Sequence, residues 1–179
     1  MKNKRNLFLI ALIVPIILLL AMTWKPLYTV KTGKTITLET VPVDPRDILY
    51  GDYVSLQFAI EEFSKESLDP ALIKEFSKHD TGKLTVYAVL EQEEGAVYGL
   101  KTVTHKKPSD GLFLKGDMYY YGEHNIDEHQ MYFANFLPDR FFVTENTGKQ
   151  LEDLSRQGQL LADIKVHDGF AVLEDVRPK

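Results

Sequence analysis

The stretch Val43–Phe63, "VDPRDILYGDYVSLQFAIEEF", decides how the chain is read. Pro45 and Gly51-Asp52 stand ahead of a run that alternates apolar and polar residues. From Tyr53, the residues Val54, Leu56, Phe58 and Ile60 fall on one side, with Tyr53, Ser55, Gln57 and Ala59 on the other. Period 2 predicts a half-buried strand whose apolar face meets a core. Gly51-Asp52 then reads as the turn that starts it, with Asp52 accepting turn amides or pairing with Arg46. The competing chemical reading makes Asp52 a catalytic acid or base beside Asp44 or Asp47, since neighbouring carboxylates push each other's pKa values apart.

On either side the same alternation recurs. "LYTVKTGKTITLETVPV" predicts two short β segments around Thr32-Gly33-Lys34, stopped by Pro42 and Pro45. "SLDPALIKEFSKHDTG" carries helix marks: Asp69 as N-cap, Pro70 at the first helical position, and Gly82 as the stop. "KLTVYAVLEQEEGAVYGLKTVTHKK" reads as a hairpin turning at Glu93-Glu94-Gly95, and "QLLADIKVHDGFAVLEDV" as another turning at His167-Asp168-Gly169. Between them lie β segments at "GLFLKGDMYYYG" and "HQMYFANFLPDRFFV", then a second short helix at "GKQLEDLSRQ". About eight strands joined mostly by hairpins, with no strand-helix-strand rhythm, predict a mainly β fold: an antiparallel barrel or sandwich covered by two short helices.

The amino end is of another kind. Leu7–Met22 carries no charge and, apart from Pro15, is wholly hydrophobic. A helix of that length rises about 24 Å, which approaches the roughly 30 Å hydrocarbon core of a bilayer once Thr23 and Trp24 reach the headgroups. Lys2, Lys4 and Arg5 precede it, so the stub is expected in the cytoplasm and the rest outside. A cleaved leader would need a small-x-small site; "LLLAMTWKP" puts Leu19 two places before Ala21, and the chain has no cysteine for lipid attachment. The expected organisation is residues 1–25 as cytoplasmic stub and uncleaved signal anchor, and residues 26–179 as an exported β domain in the cell membrane's outer space.

Charge and composition exclude several classes. Three of the 21 Lys and Arg precede the apolar run and all 26 Asp and Glu follow it, leaving 18 against 26, or −8, from Lys25 onward. That balance argues against nucleic acid and against tight docking on anionic lipid. Without cysteine there is no disulfide, thiolate metal site or thiol nucleophile. "GEHNIDEHQ" gathers Glu123, His124, Asp127, Glu128 and His129, but histidines five apart match neither a helical nor a strand pair, and a polar loop explains them. His79, His105 and His167 stand at turns or strand ends. Ser55, the first serine after the apolar run, sits within a strand and lacks the setting of a Ser-Lys protease. No cofactor, metal or catalytic residue is therefore assigned.

Aromatic side chains are the remaining resource. "MYYYG" holds Tyr119, Tyr120 and Tyr121, which cannot all face one core, so at least one points outward. With Tyr53 they are the candidate interaction residues. In "RFFVTENTGKQLE", Glu145, Lys149 and Glu152 offer a polar group, though a turn at Asn146–Gly148 with Thr147 capping a helix accounts for the stretch.

"GDYVSLQF", Gly51–Phe58, resembles the signature of the bacterial GDYXXLXY family, with Phe58 in place of the last tyrosine. "DPRDILYGDY" extends the likeness, and "RFFVTENTGKQLE", Arg140–Glu152, looks like that family's second recurring segment. The resemblance implies a small membrane-anchored protein and carries over no catalytic assignment; it marks Gly51, Asp52, Tyr53, Leu56 and Phe58 as motif residues. Phe58 keeps the ring and lacks the hydroxyl, so that hydroxyl is not required chemically. The function expected is an accessory or binding module for an integral membrane or envelope protein. The alternatives are a hydrolase using Asp52 with Asp44 or Asp47, and a receptor for a sugar or peptide on the tyrosine-rich strand.

Overall fold

A computed structural model describes residues 2–42, 53–76, 81–93, 95–121, 131–143 and 148–179. Gly51, Asp52, Asp44, Arg46, Asp47, His79, the Glu123–His129 group, Glu145, Asn146 and Thr147 lie outside the described residues.

Helix α1 (Lys2–Thr32) opens the chain and contains both Pro15 and Pro26. Within it Asn6–Thr32 is long and apolar enough to cross a membrane, and the residues of its most apolar window are not buried by the rest of the protein. A signal sequence near the amino end can also be long and apolar enough to meet that criterion. The helix runs further than expected: Leu27–Val30 is helical, where a short β segment ahead of Thr32-Gly33-Lys34 was expected. Strand pairing is available only from Lys34, which opposes Val166, so the preceding residues satisfy their own backbone as helix instead. Thr32 Oγ1 donates to the Tyr28 carbonyl at 2.8 Å, and Thr29 is fully buried.

Strands β1 (Lys34–Glu39), β9 (Leu160–His167) and β10 (Phe170–Pro178) form one sheet in the order β1-β9-β10. The larger sheet contains β3 (Glu62–Phe63), β7 (Tyr132–Asn135), β6 (Leu112–Tyr121), β4 (Thr81–Gln92) and β5 (Tyr98–Thr104), in that order. Between them β2 (Tyr53–Ser55) pairs with β8 (Arg140–Phe142). All the ladders are antiparallel. Strand is the predominant secondary structure among the described residues, so the fold is mainly β, and the sheet curls into half a barrel. Single bridges Thr37↔Val97 and Leu114↔Gly169 link the two main sheets.

Both expected hairpins form. β4 and β5 pair from Gln92↔Tyr98 to Tyr87↔Thr104. β9 and β10 turn at Asp168 (φ 48°) and Gly169 (φ 77°), the paired positive φ values of a type I′ turn. Both short helices form as well. In α2 (Pro70–Phe76) Asp69 Oδ1 accepts the Ala71 N–H at 2.8 Å, the N-cap bond. That helix ends at Phe76, and Gly82, expected as its stop, lies inside β4. In α3 (Gly148–Arg156) Leu151 and Leu154 pack against the core.

The decisive stretch keeps its faces and loses its length as a strand. Val54, Leu56, Phe58 and Ile60 are all buried, as the alternation requires. Regular pairing nevertheless stops at Ser55, because the segment changes partners as it crosses between sheets. Leu56 N–H donates to the Asp139 carbonyl at 2.8 Å, Val41 N–H donates to the Gln57 carbonyl at 2.9 Å, and Phe58 bridges Thr40. A 3₁₀ turn at Ala59–Glu61 then leads into β3. Alternating burial thus records an extended path through the core, with three partners in succession.

Candidate functional site

The two sequence segments singled out above meet in space. Tyr53 opposes Phe142, Val54 opposes Phe141 and Ser55 opposes Arg140. α3, which continues the second segment, packs on β2, where the buried Ser155 Oγ donates to the Ser55 carbonyl at 2.6 Å. A ribbon of three residue pairs is too short to stand alone, so Val54 beneath and α3 beside it hold it in place.

On the outer face of the ribbon Tyr53 is half-buried. Its ring lies 6.2 Å from that of Phe142, tilted by 57°, and the Arg140 guanidinium carbon is 4.9 Å from its centroid. The face is thus a cation-aromatic stack ending in Phe142, whose surface is 74% exposed. On the inner side Phe58 is fully buried, which explains how phenylalanine serves here: a hydroxyl at that depth would need a partner of its own.

A polar cleft of about 290 Å³ opens beside the ribbon, lined by Ser55, Leu56, Gln57, Glu61, Phe133, Ala134, Asn135 and Asp139. Glu61 is its pivot. Oε1 accepts the backbone N–H groups of Phe136 (3.0 Å) and Leu137 (3.3 Å), and Oε2 accepts that of Phe58 (3.2 Å). Burial raises the Glu61 pKa and the Asp139 charge adds to this, while the three amides pull the other way without cancelling it. With both oxygens engaged, the carboxylate braces the β7–β8 connection against the motif. Nothing in the sequence pattern had singled out Glu61: its signal was only an acid three residues after Phe58, the spacing at which a side chain reaches back to a turn's first amide.

The pattern of the GDYXXLXY protein family matches residues 15–176. The chain belongs to this family. Comparisons with curated proteins and with solved structures return no match. Of the family motif, Tyr53, Leu56 and Phe58 lie within the described residues: the first on the outer face, the other two in the core.

The remaining candidates are scattered. Tyr119, on β6, is 61% exposed with Lys83 Nζ 5.8 Å from its ring centroid. Tyr120 and Tyr121 continue the strand opposite Gly82 and Thr81, and their side chains lie outside the described residues. Glu152 pairs with Arg156 at 2.8 Å within α3. His167 meets Tyr28 edge-on, and His105 lies at the end of β5. Among the described residues no three His, Asp or Glu side chains are grouped to hold a metal ion.

Phe133, which sequence reasoning passed over, shares the outer face with Tyr119. β6 and β7 pair at Met118↔Ala134, and the next step in that register sets Tyr119 beside Phe133, which is 54% exposed. Lys83 opposes Tyr119 and Glu62 opposes Phe133, so a row of Lys, Tyr, Phe and Glu crosses four strands.

Proposed function

We propose that this protein is a single-pass membrane protein, amino end in the cytoplasm, whose exported β domain is a binding or accessory module for an integral membrane or envelope protein. The observation that carries the reading is the coexistence of an uncovered apolar helix with an uncovered aromatic face on the five-stranded sheet. Leu7 through Met22 expose their large side chains along α1, while Tyr119 and Phe133 expose rings flanked by Lys83 and Glu62. Aromatic rings bounded by charges suit protein contacts, where they bury large area at small entropic cost. The cleft at Glu61 supports this reading over an enzyme, since its carboxylate oxygens are already held by three backbone amides.

Photo-crosslinkers placed at Tyr119 or Phe133 in native membranes test it. One discrete membrane-protein adduct, lost on Phe133→Asp, is expected. A monomeric chain without adducts from either position would refute the module reading.

A further inference from the structure

The turn between β9 and β10 returns alongside α1 at a defined height. Lys25 Nζ lies 4.4 Å from the Phe170 ring centroid, and Tyr28 meets His167 at 5.0 Å. At 1.5 Å per residue these helix positions stand about 4 to 9 Å beyond Met22, the last residue of the charge-free run. The headgroup layer of a bilayer has about that depth on each side. Trp24, stacked on Tyr28 at 6.4 Å, shares this level and is the residue type that settles there.

The loop after β5 reaches the same turn. Lys107 Nζ is 2.6 Å from an Asp168 carboxylate oxygen, and the Lys115 N–H donates to the Gly169 carbonyl at 2.8 Å. Lys25, Lys106, Lys107 and Lys115 are all exposed, and the acids of the two loops are Asp110 and Asp168. A domain of formal charge −8 therefore turns a net positive patch toward the level at which its helix leaves the apolar run.

We infer that this patch is a lysine collar that seats the β domain on anionic lipid headgroups, through Nζ-to-phosphate contacts. It rests on the reading of α1 as a membrane span. Each lysine held at an anionic surface strengthens the contact about fivefold, while the acidic remainder of the domain is repelled by that surface. Together the two effects hold the domain collar-down, with the Tyr119–Phe133 face free. The overall negative charge, which argued against lipid docking, hides a local reversal that only the fold assembles.

The test uses the full chain in lipid nanodiscs. Because the chain has no cysteine, Ser109→Cys takes a single fluorophore in the collar loop, read by quenching from headgroup-spin-labelled lipid. Quenching is expected to be stronger in discs containing phosphatidylglycerol than in phosphatidylcholine alone. It should fall to the phosphatidylcholine level in the K106Q/K107Q/K115Q variant and persist in K106R/K107R/K115R. Equal quenching in both lipids, or quenching unchanged by the glutamine variant, overturns the collar. Trp24, the chain's one tryptophan, separates the two failures. Water-like Trp24 emission in the discs overturns the span and the collar together, whereas membrane-like emission without lipid dependence overturns the collar alone.

Discussion

Glu61 Oε1 accepts the backbone N–H of Phe136 at 3.0 Å, joining the turn just after the family motif to a loop 75 residues away. The same carboxylate holds Leu137 and Phe58, so one side chain ties the last residue of the motif to the loop that leads into the second recurring segment.

Replacing Glu61 with Ala strands three amides in a partly buried site. The expected loss is about 1.5 to 3 kcal/mol, the usual worth of hydrogen bonds to a charged group. Urea denaturation of the reconstituted chain checks it, and a midpoint within error of the parent would remove the bracing role. The pH dependence has a definite sign. An acid with a raised folded pKa binds its proton more tightly when folded, so its contribution to stability falls as pH climbs from the ordinary carboxylate range through the raised value. Glu61→Gln should flatten that decline.

The motif should split into a core half and a surface half. Phe58→Ala opens a cavity at a fully buried ring and is expected to cost about 3 to 5 kcal/mol. Tyr53→Ala removes a half-exposed stack with Phe142 and Arg140 and should cost at most about 1.5 kcal/mol. Equal losses in thermal melts would mean that Tyr53 is a core residue after all.

That split was half legible in the sequence. Period-2 alternation placed Val54, Leu56 and Phe58 inward because burial follows side-chain direction, which the extended backbone sets locally. It could not show that the strand stops at Ser55, since hydrogen-bond partners come from Thr40, Val41 and Asp139, all chosen by the tertiary fold. Hairpin turns such as Asp168-Gly169 were readable because φ preference belongs to the residues themselves. Leu27–Val30 misled for the opposite reason: a segment that suits a strand becomes one only where a partner strand exists. Glu61 and Phe133 were invisible, one because its three partners come from the backbone, the other because only the β6–β7 register sets it beside Tyr119.

Asp163 should contribute to the acid side of the stability profile. Partial burial works to raise its pKa, but hydrogen bonds from Arg177 and Thr37 outweigh this and lower it. A depressed folded pKa gives stability that is complete above the ordinary carboxylate value and is lost as pH falls through the folded one. Asp163→Asn is therefore expected to melt below the parent at neutral pH and to converge on it in strong acid. A gap that stays constant down the pH series would sink this assignment.

Gly33 joins α1 to β1 with no room for a side chain. A Cβ there would lie 2.5 Å from the Thr29 carbonyl oxygen and 3.1 Å from that of Val166. Gly33→Ala must push the helix off the sheet, at a cost of about 1 to 3 kcal/mol. Loss of the Tyr28–His167 and Lys25–Phe170 contacts should accompany it, visible as a changed His167 ring resonance. An unshifted resonance and an unchanged melt would show that the junction is soft.

The collar and the placement of the β domain both require α1 to remain attached and in the membrane, so the mass of the mature chain in fractionated cells is the most direct test. The expected result is the full 20.5 kDa chain, retained in membranes through an alkaline wash. A chain lacking the apolar run and recovered in the soluble exported fraction would contradict the anchor, and with it both the collar and the fixed placement of the β domain.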